Sequence, residues 1–416
     1  MMQLTALIAN DAVVLGLLMI ILAFVFYTSS SNAAGWKRFY KFVPSLLLCY
    51  FLPSLFNSFG IIDGEKSGLY PVVRDYLLPA SLVLLTSTVD IPAVKKLGGK
   101  ALIMFLAGSF GVMIGGPLAV FIFTLIDPQV VAGAGPDAVW RGLTAIAGSW
   151  IGGGANQAAM KEIFGISDHL FSAMITVDVI TAYVWMAFLL YGASISTKLD
   201  AKLKADATAI DNLRKKMESY HSKGDRIPSL RDMVLIVGIA FGVTGIAHLC
   251  ADTLVPWIET NAPHLSRFSL TTKFFWLILV ATLLGIALSF TRARNLDHAG
   301  ASKTGTLFLY VLVATLGMKM NIFAIFDNPK LLLVAFTWLI FHILIMIGIA
   351  KLIKAPFFFV AVGSQANIGG PASAPIVAAA FSPALAPVGV LLAVLGYAIG
   401  TGGAYLCGLL MQWVAE

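Results

Sequence analysis

Charge is what this chain has least of: 12% of its 416 residues are Asp, Glu, Lys or Arg, about half the share of an average soluble domain. Cysteine and histidine are also scarce, at three and six residues. Cys49, Cys250 and Cys407 lie far apart in or at the ends of apolar segments, with no CxxC spacing and no Cys/His cluster. We therefore expect neither a disulfide nor a zinc site. No GxxxxGKS/T stretch occurs, which disfavours an ATP-driven pump built from this chain alone. HExxH and GxSxG are missing too, leaving an intramembrane hydrolase without its residues, so the chain reads as not an enzyme. The N-terminus has no basic stretch ahead of its first apolar run, which argues for a retained helix over a cleaved signal peptide.

What the chain has is apolar length. Hydrophobic residues make up 59% of it, and the mean hydropathy is +0.88. Runs suited to spanning helices fall at 12 to 29, 42 to 62, 71 to 89, 101 to 126, 168 to 192, 231 to 252, 268 to 290, 304 to 320, 331 to 350 and 384 to 412. This is the pattern of an all-α polytopic membrane protein. The net charge of +7 is spread in short clusters between these runs rather than over one basic face, so we expect a lipid bilayer as partner and no nucleic acid.

Two further segments, 141 to 163 and 356 to 381, are rich in Gly, Ala and small polar residues. The first contains Ile151, Gly152, Gly153, Gly154, Ala155, Asn156 and Gln157; the second contains Ile368, Gly369, Gly370, Pro371, Ala372, Ser373 and Ala374. Such sequences expose backbone that lipid cannot satisfy, so irregular chain at that depth lines a cavity. A matched pair is the sequence pointer to a secondary transporter's binding site. A weaker match pairs Asp90 to Val94 with Asn321 to Ile325.

If all twelve segments crossed, Lys95, Lys96 and Lys100 would face away from the cluster between Lys198 and Arg231, against the positive-inside rule. If 141 to 163 and 356 to 381 instead enter and return as re-entrant hairpins, those clusters, Lys37, Arg38 and Lys41, Arg292 and Arg294, and Lys351 and Lys354 all face the cytoplasm. Each limb of about ten residues then reaches roughly 15 Å, half way through the hydrocarbon. The expected fold is about ten spanning helices plus two Gly-rich re-entrant or discontinuous elements in two inverted repeats. The repeats are 1 to 192 and 231 to 416, joined by a charged cytoplasmic linker at 193 to 230, with both termini outside.

The paired Gly-rich elements and the Asp-Ile-Pro and Asn-Ile-Phe helix ends resemble the superfamily of cation/proton antiporters and anion transporters, which includes bile acid, glutamate and citrate sodium symporters. More narrowly, the whole chain resembles the YjcL-like bacterial membrane proteins, domain of unknown function 819. That resemblance implies an elevator-type carrier in a bacterial inner membrane, often a homodimer, with sodium or a proton as coupling ion. It also gives a hint of amino-sugar or cell-wall fragment uptake. The paired acidic residues of the sodium/proton antiporter branch are absent here, because Val177, Asp178 and Val179 hold a single acid.

Candidate binding residues are those beside the glycine turns and the one deep acid. Glycine lets a ligand approach backbone closely, and helix ends offer N–H groups to an anion and carbonyls to a cation. The first element contributes Ser149, Gly152, Gly153, Gly154, Asn156 and Gln157; the second contributes Ser364, Gln365, Asn367, Gly369, Gly370 and Ser373. Asp178, with Thr181, lies deep in its run, and an ionisable group at such depth is expected to be functional. Neutral oxygens suit an alkali cation, so Asn156, Gln157, Asp178, Gln365 and Asn367 form the expected sodium set, with Asp178 as ion ligand or proton carrier. The expected function is sodium-coupled symport of a small polar or anionic solute. The alternatives are a sodium/proton antiporter and a non-transporting receptor with a transporter fold. Lys319 sits where it can snorkel, His342 reads as a satisfied interior histidine, and Trp150 reads equally as a ring-stacking or a packing residue.

Overall fold

The computed structural model describes residues 7–40, 43, 45–64, 66–205, 210, 213, 227–268, 270–320 and 327–416, which are helical apart from turns and a single bridge between Ile8 and Ile62. The principal helices are α1 (Asp11–Ser29), α2 (Ser45–Ser58), α3 (Leu69–Ser87), α4 (Gly99–Ile126), α5 (Val139–Phe164) and α6 (Asp168–Ser194). They continue as α7 (Leu230–Asn261), α8 (Lys273–Ser289), α9 (Ala301–Gly317), α10 (Leu331–Leu352), α11 (Phe357–Ile368), α12 (Gly370–Phe381) and α13 (Ala386–Ala415). Their starts carry side-chain caps where the sequence supplies them. Asn10 accepts from Ala12 N (2.9 Å) at α1, Ser167 from Leu170 N (3.1 Å) at α6, and Ser229 with Asp232 forms a capping box at α7.

Among the described residues seven helices are long and apolar enough to cross a membrane, or up to nine if two bent pairs each count as one span. All ten expected runs land on helices. Two of them, 42 to 62 and 268 to 290, belong to the bent pairs, Ala34–Tyr40 with Ser45–Ser58 (88°) and Lys273–Ser289 with Arg292–Ala299 (92°). The run 304 to 320 falls on α9, whose 17 residues reach roughly 25 Å, short of a full hydrocarbon crossing. The Asn321 to Ile325 match and most of the 193 to 230 linker lie outside the described residues; within the linker, Ser196–Leu203 is helical.

Both Gly-rich segments double back. In α5 the break is Gly153 (φ 72°, ψ −176°), and a Cβ on Gly148 would lie 2.6 Å from Asn156 O, although eight helical residues span roughly 12 Å. The limbs stay together to their base, where Arg141 Nη1 donates to Phe164 O (2.5 Å) and Trp140 meets Phe164 edge-on. In the second hairpin the break is Gly370 (φ 62°) between α11 and α12, and Phe357 and Phe358 meet Phe381 at its base. When the two motifs are aligned from Ile151 and Ile368, Gly153 and Gly370 coincide. Positive φ at both positions is what selects glycine there.

The helices sort into two bundles. In one, α1, α2 and α3 pack with α7, α8 and α9; in the other, α4, α5 and α6 pack with α10, α11, α12 and α13. Close approach in the second bundle comes from small residues. Gly115 and Gly116 of α4 lie under Trp338 of α10, whose indole donates to Val112 O (2.7 Å), while Gly152 of the first hairpin abuts Gly400 of α13.

The basic clusters gather at one end: Lys100 Nζ donates to Lys354 O (3.2 Å), Arg294 pairs with Asp90 (3.3 Å), and Asp200 accepts from Phe357 N (2.6 Å). At the opposite end lie Asp127 paired with Lys330 (2.6 Å) and His169 with Asp327 (2.8 Å). The first hairpin starts and finishes at that opposite end, where Ser167 N bonds Pro136 O (3.0 Å); the second starts and finishes at the basic end. The two hairpins therefore enter from opposite directions.

A Cβ on Gly152 would sit 2.6 Å from Gly400 Cα, whereas one on Gly402 meets nothing within 4 Å. We expect Gly152→Ala to cost about 1–3 kcal/mol by overpacking, and Gly402→Ala to be neutral or slightly stabilising. Melting temperatures of the two purified variants check this; equal values would contradict the close hairpin seat.

Candidate functional site

The two hairpin tips meet at a cavity of about 340 Å³, lined by residues of both bundles. Of the sequence-expected residues, Ser149, Gly153, Gly154, Asp178, Gln365, Gly369, Gly370 and Ser373 line it. Gly152, Asn156, Gln157, Thr181, Ser364 and Asn367 do not, and most of these hold the hairpins in place.

Asp178 is the centre of the arrangement. It is 6% exposed, and its carboxylate accepts from Trp150 Nε1 (2.7 Å) and Gln157 Nε2 (2.8 Å). Both donors come from the first hairpin, while Asp178 belongs to α6, and the nearby Thr176 bonds Ser172 O instead. Bonds to an ionised acceptor are about twice as strong as neutral ones, so this carboxylate fastens the hairpin to α6. Trp150 thereby has a packing role: it is fully buried and lies 5.0 Å from the Trp338 ring.

Two asparagines seat the hairpins. Asn156 Nδ2 donates to Gly152 O (2.8 Å) while its Oδ1 accepts from Thr401 Oγ1 of α13 (2.6 Å). Asn367 Nδ2 donates to Gly363 O (2.8 Å) and Phe105 O (2.9 Å), and its Oδ1 accepts from Ser109 Oγ of α4 (2.7 Å). Their oxygens are thus occupied by protein donors, so neither faces the cavity. Ser364 Oγ accepts from Trp185 Nε1 (2.8 Å) and bonds His342 Nε2 (2.8 Å), and His342 Nδ1 meets Gly108 O (3.0 Å). That wiring assigns a proton to Nδ1 and a neutral ring, an interior histidine satisfied on both sides.

Gln365 is different. Its Nε2 donates to Ser373 Oγ (2.7 Å) across the second tip, but its Oε1 is buried without a hydrogen-bond partner. Thr181 Oγ1 and Tyr50 Oη are likewise buried and unpartnered among the described residues. A buried acceptor left unmade costs about 1–3 kcal/mol, so such groups are where a ligand atom is most welcome.

Sequence reading missed the aromatic wall: Tyr183 of α6, Tyr310 of α9 and Tyr397 of α13 also line the cavity. Single tyrosines in long apolar runs carry no spacing signal. Ser45 of α2 and Thr306 of α9 add lining from the first bundle, so the cavity lies on the boundary between bundles. Tyr183 and Met186 lie beyond Asp178 along α6 towards its basic end, and the space extends that way.

Ion pairs join the bundles at the opposite end. Lys319, after α9, pairs with Asp168 (2.7 Å), and Lys161 of the first hairpin pairs with Asp168 (2.8 Å) and Glu162 (3.3 Å). Glu162 also receives Arg74 (3.2 Å) and the Tyr70 hydroxyl of α3. Arg74 sits in a π-helical turn, Val73–Leu77. Rather than snorkelling outward, Lys319 is 17% exposed and turned onto this cluster. Among the described residues no group of three or more His, Cys, Asp or Glu is arranged to hold a metal ion.

Lys161 is 7% exposed between its partners. Asp168 is the acid shared by Lys161 and Lys319, so Asp168→Asn takes a carboxylate from two largely buried cations at once and should cost about 3 kcal/mol. Thermal unfolding in detergent checks this, and an unchanged melting temperature would show the cluster to be energetically idle.

The sequence is 26% identical over 360 residues to the uncharacterized membrane protein YjcL of Bacillus subtilis (strain 168), covering 83% of this chain and 84% of that protein. The family model for the protein of unknown function DUF819 matches residues 16–414. The chain is thus a membrane protein and belongs to the DUF819 family.

Proposed function

We propose that this protein is a secondary active transporter that moves a small polar solute through the cavity between its two bundles. The observation that carries this reading is the meeting of two glycine-broken hairpins, entering from opposite ends, over one buried carboxylate at a bundle boundary. Broken helices with their ends at mid-depth supply polar groups to a solute without exposing backbone to lipid.

The symmetry of assembly supports inverted repeats. Each half gives three helices to the first bundle and a helix, a hairpin and a helix to the second. An elevator motion follows naturally, with the hairpin bundle sliding against α1–α3 and α7–α9. With the basic end cytoplasmic, by the positive-inside rule, the cavity extends towards the cytoplasm while the Lys161–Asp168–Lys319 cluster closes the other end. The membrane is then the bacterial inner membrane, and both termini lie outside. A homodimer is proposed through α7, where Gly238 and Gly242, one GxxxG spacing apart, have nothing within 4 Å of an added Cβ.

Sodium is the proposed coupling ion, with Asp178 as its charged ligand and Gln365 Oε1 as a neutral one. Asn156 and Asn367, part of the sequence-derived ligand set, have their oxygens engaged by Thr401 and Ser109, so they are assigned to positioning. A sodium/proton antiporter acting on Asp178, the acid among the described lining residues, is the second reading, and the lack of a paired acid counts against an electrogenic one.

Sodium at about a hundred times its dissociation constant should add about 2.7 kcal/mol of stability. We expect a rise in melting temperature in sodium over potassium at matched ionic strength, lost in Asp178→Asn, and loss of coupled uptake in the same variant with folding intact. Full uptake by Asp178→Asn would remove this residue from the mechanism.

A further inference from the structure

We infer that the solute carries a protonated amine, held by Asp178 and Gln365 and flanked by tyrosines. This rests on the carrier reading of the cavity and specifies what it carries. Asp178 is the one formally charged residue among the described lining residues; no Lys, Arg or His joins it. An organic anion, one of the polar or anionic solute classes expected from sequence beside amino sugars and cell-wall fragments, would meet that carboxylate with no basic side chain among the described lining residues to offset it. A cation meets a single compensating charge instead.

The hydrogen-bonding capacity points the same way. A carboxylate has about four acceptor sites, and two on Asp178 are taken by Trp150 and Gln157. Capacity remains for a donor from the cavity. Gln365 Oε1 is a second acceptor on the opposite hairpin, buried and unpartnered, and one of its two amide N–H donors is engaged by Ser373. An ammonium carries three donors and no acceptor, which matches a site rich in acceptors.

The wall also carries Tyr183, Tyr310 and Tyr397 beside Leu309 and Met186, with Ser45 and Thr306 from the first bundle. Aromatic faces attract cations, and the attraction grows where water is excluded. A volume of about 340 Å³ is at the small end of ligand pockets. Together these features describe a small primary amine with a compact polar or aromatic body. With one charge to share, sodium and the ammonium would alternate on Asp178, so coupling becomes an exchange in place of the symport expected from sequence, and the coupled uptake lost in Asp178→Asn is amine uptake into sodium-loaded vesicles.

The test uses the purified full-length protein in potassium buffer and two probe triads matched in shape: glucosamine, glucose and glucuronate, and 2-phenylethylamine, 2-phenylethanol and 3-phenylpropionate. We expect saturable thermal stabilisation by at least one amine and by neither its alcohol nor its acid counterpart. Asp178→Asn should abolish it. Gln365→Leu, which leaves the carboxylate in place, should weaken the apparent affinity roughly tenfold while the protein still elutes as folded material. Stabilisation by an acid probe without its amine, or by no amine at all, overturns the amine assignment. The carrier reading is separated by sodium stabilisation of the ligand-free protein in the same preparation: sodium binding with no amine response removes the solute class and keeps the carrier.

Discussion

Backbone polar groups inside a membrane have no water to turn to, and two interruptions of helix at mid-depth must therefore be enclosed by protein. That constraint organises the rest of this structure. Gly153 and Gly370 adopt positive φ at matching places in two hairpins, and everything around them answers the backbone groups and close approaches that the breaks create. Asn156 bridges its own hairpin to α13, and Asn367 bridges the other to α4. The tips that remain free of such ties face a common cavity.

The same constraint explains why the acid is where it is. Asp178 is held by two donors of the first hairpin, Trp150 and Gln157, so its burial is offset by charge-assisted hydrogen bonds rather than by a counter-ion. A carboxylate satisfied this way keeps capacity for one further cationic partner. Opposing it, the pairs Lys319–Asp168 and Arg74–Glu162 cross the bundle boundary, and Lys161 pairs with both acids from within the hairpin bundle. One end of the boundary is knit together by ion pairs and the other opens into the cavity. In the transport reading, that asymmetry is one half of an alternating-access cycle, in which the ion pairs part as the cavity closes.

Much of this was legible in the sequence because it rests on local chemistry. Hydrophobic runs gave the helices, the Ile-Gly-Gly pair gave both breaks, and the isolated Asp178 marked the centre of the site. The basic clusters pointed to five loops sharing one end, and Lys100, Arg294 and Asp200 make contacts within and between four of them. What escaped depended on distant partners. Whether Asn156 faces a ligand or Thr401 is decided by a residue 245 positions away, and no spacing rule encodes it. The tyrosine wall is drawn from three helices, and the charge cluster joins α3, the first hairpin, α6 and the end of α9. Lys319 shows the limit of reading charges singly: near a helix end it suggests snorkelling, yet Asp168 sits close enough to hold it.

The most direct test is to ask from which side of a membrane the cavity can be reached. Ala372, an exposed residue at the second tip, lines the cavity, and Cys49 and Cys407 are buried, so a single introduced cysteine, Ala372→Cys in a background lacking Cys250, reports on that space. A membrane-impermeant maleimide should label it in oriented vesicles from the basic side, and also from the opposite side once Lys319→Ala weakens the ion-pair cluster. Alternating access requires both. Labelling confined to the basic side under every condition, or absent from both, would contradict a carrier and leave the cavity as a static pocket.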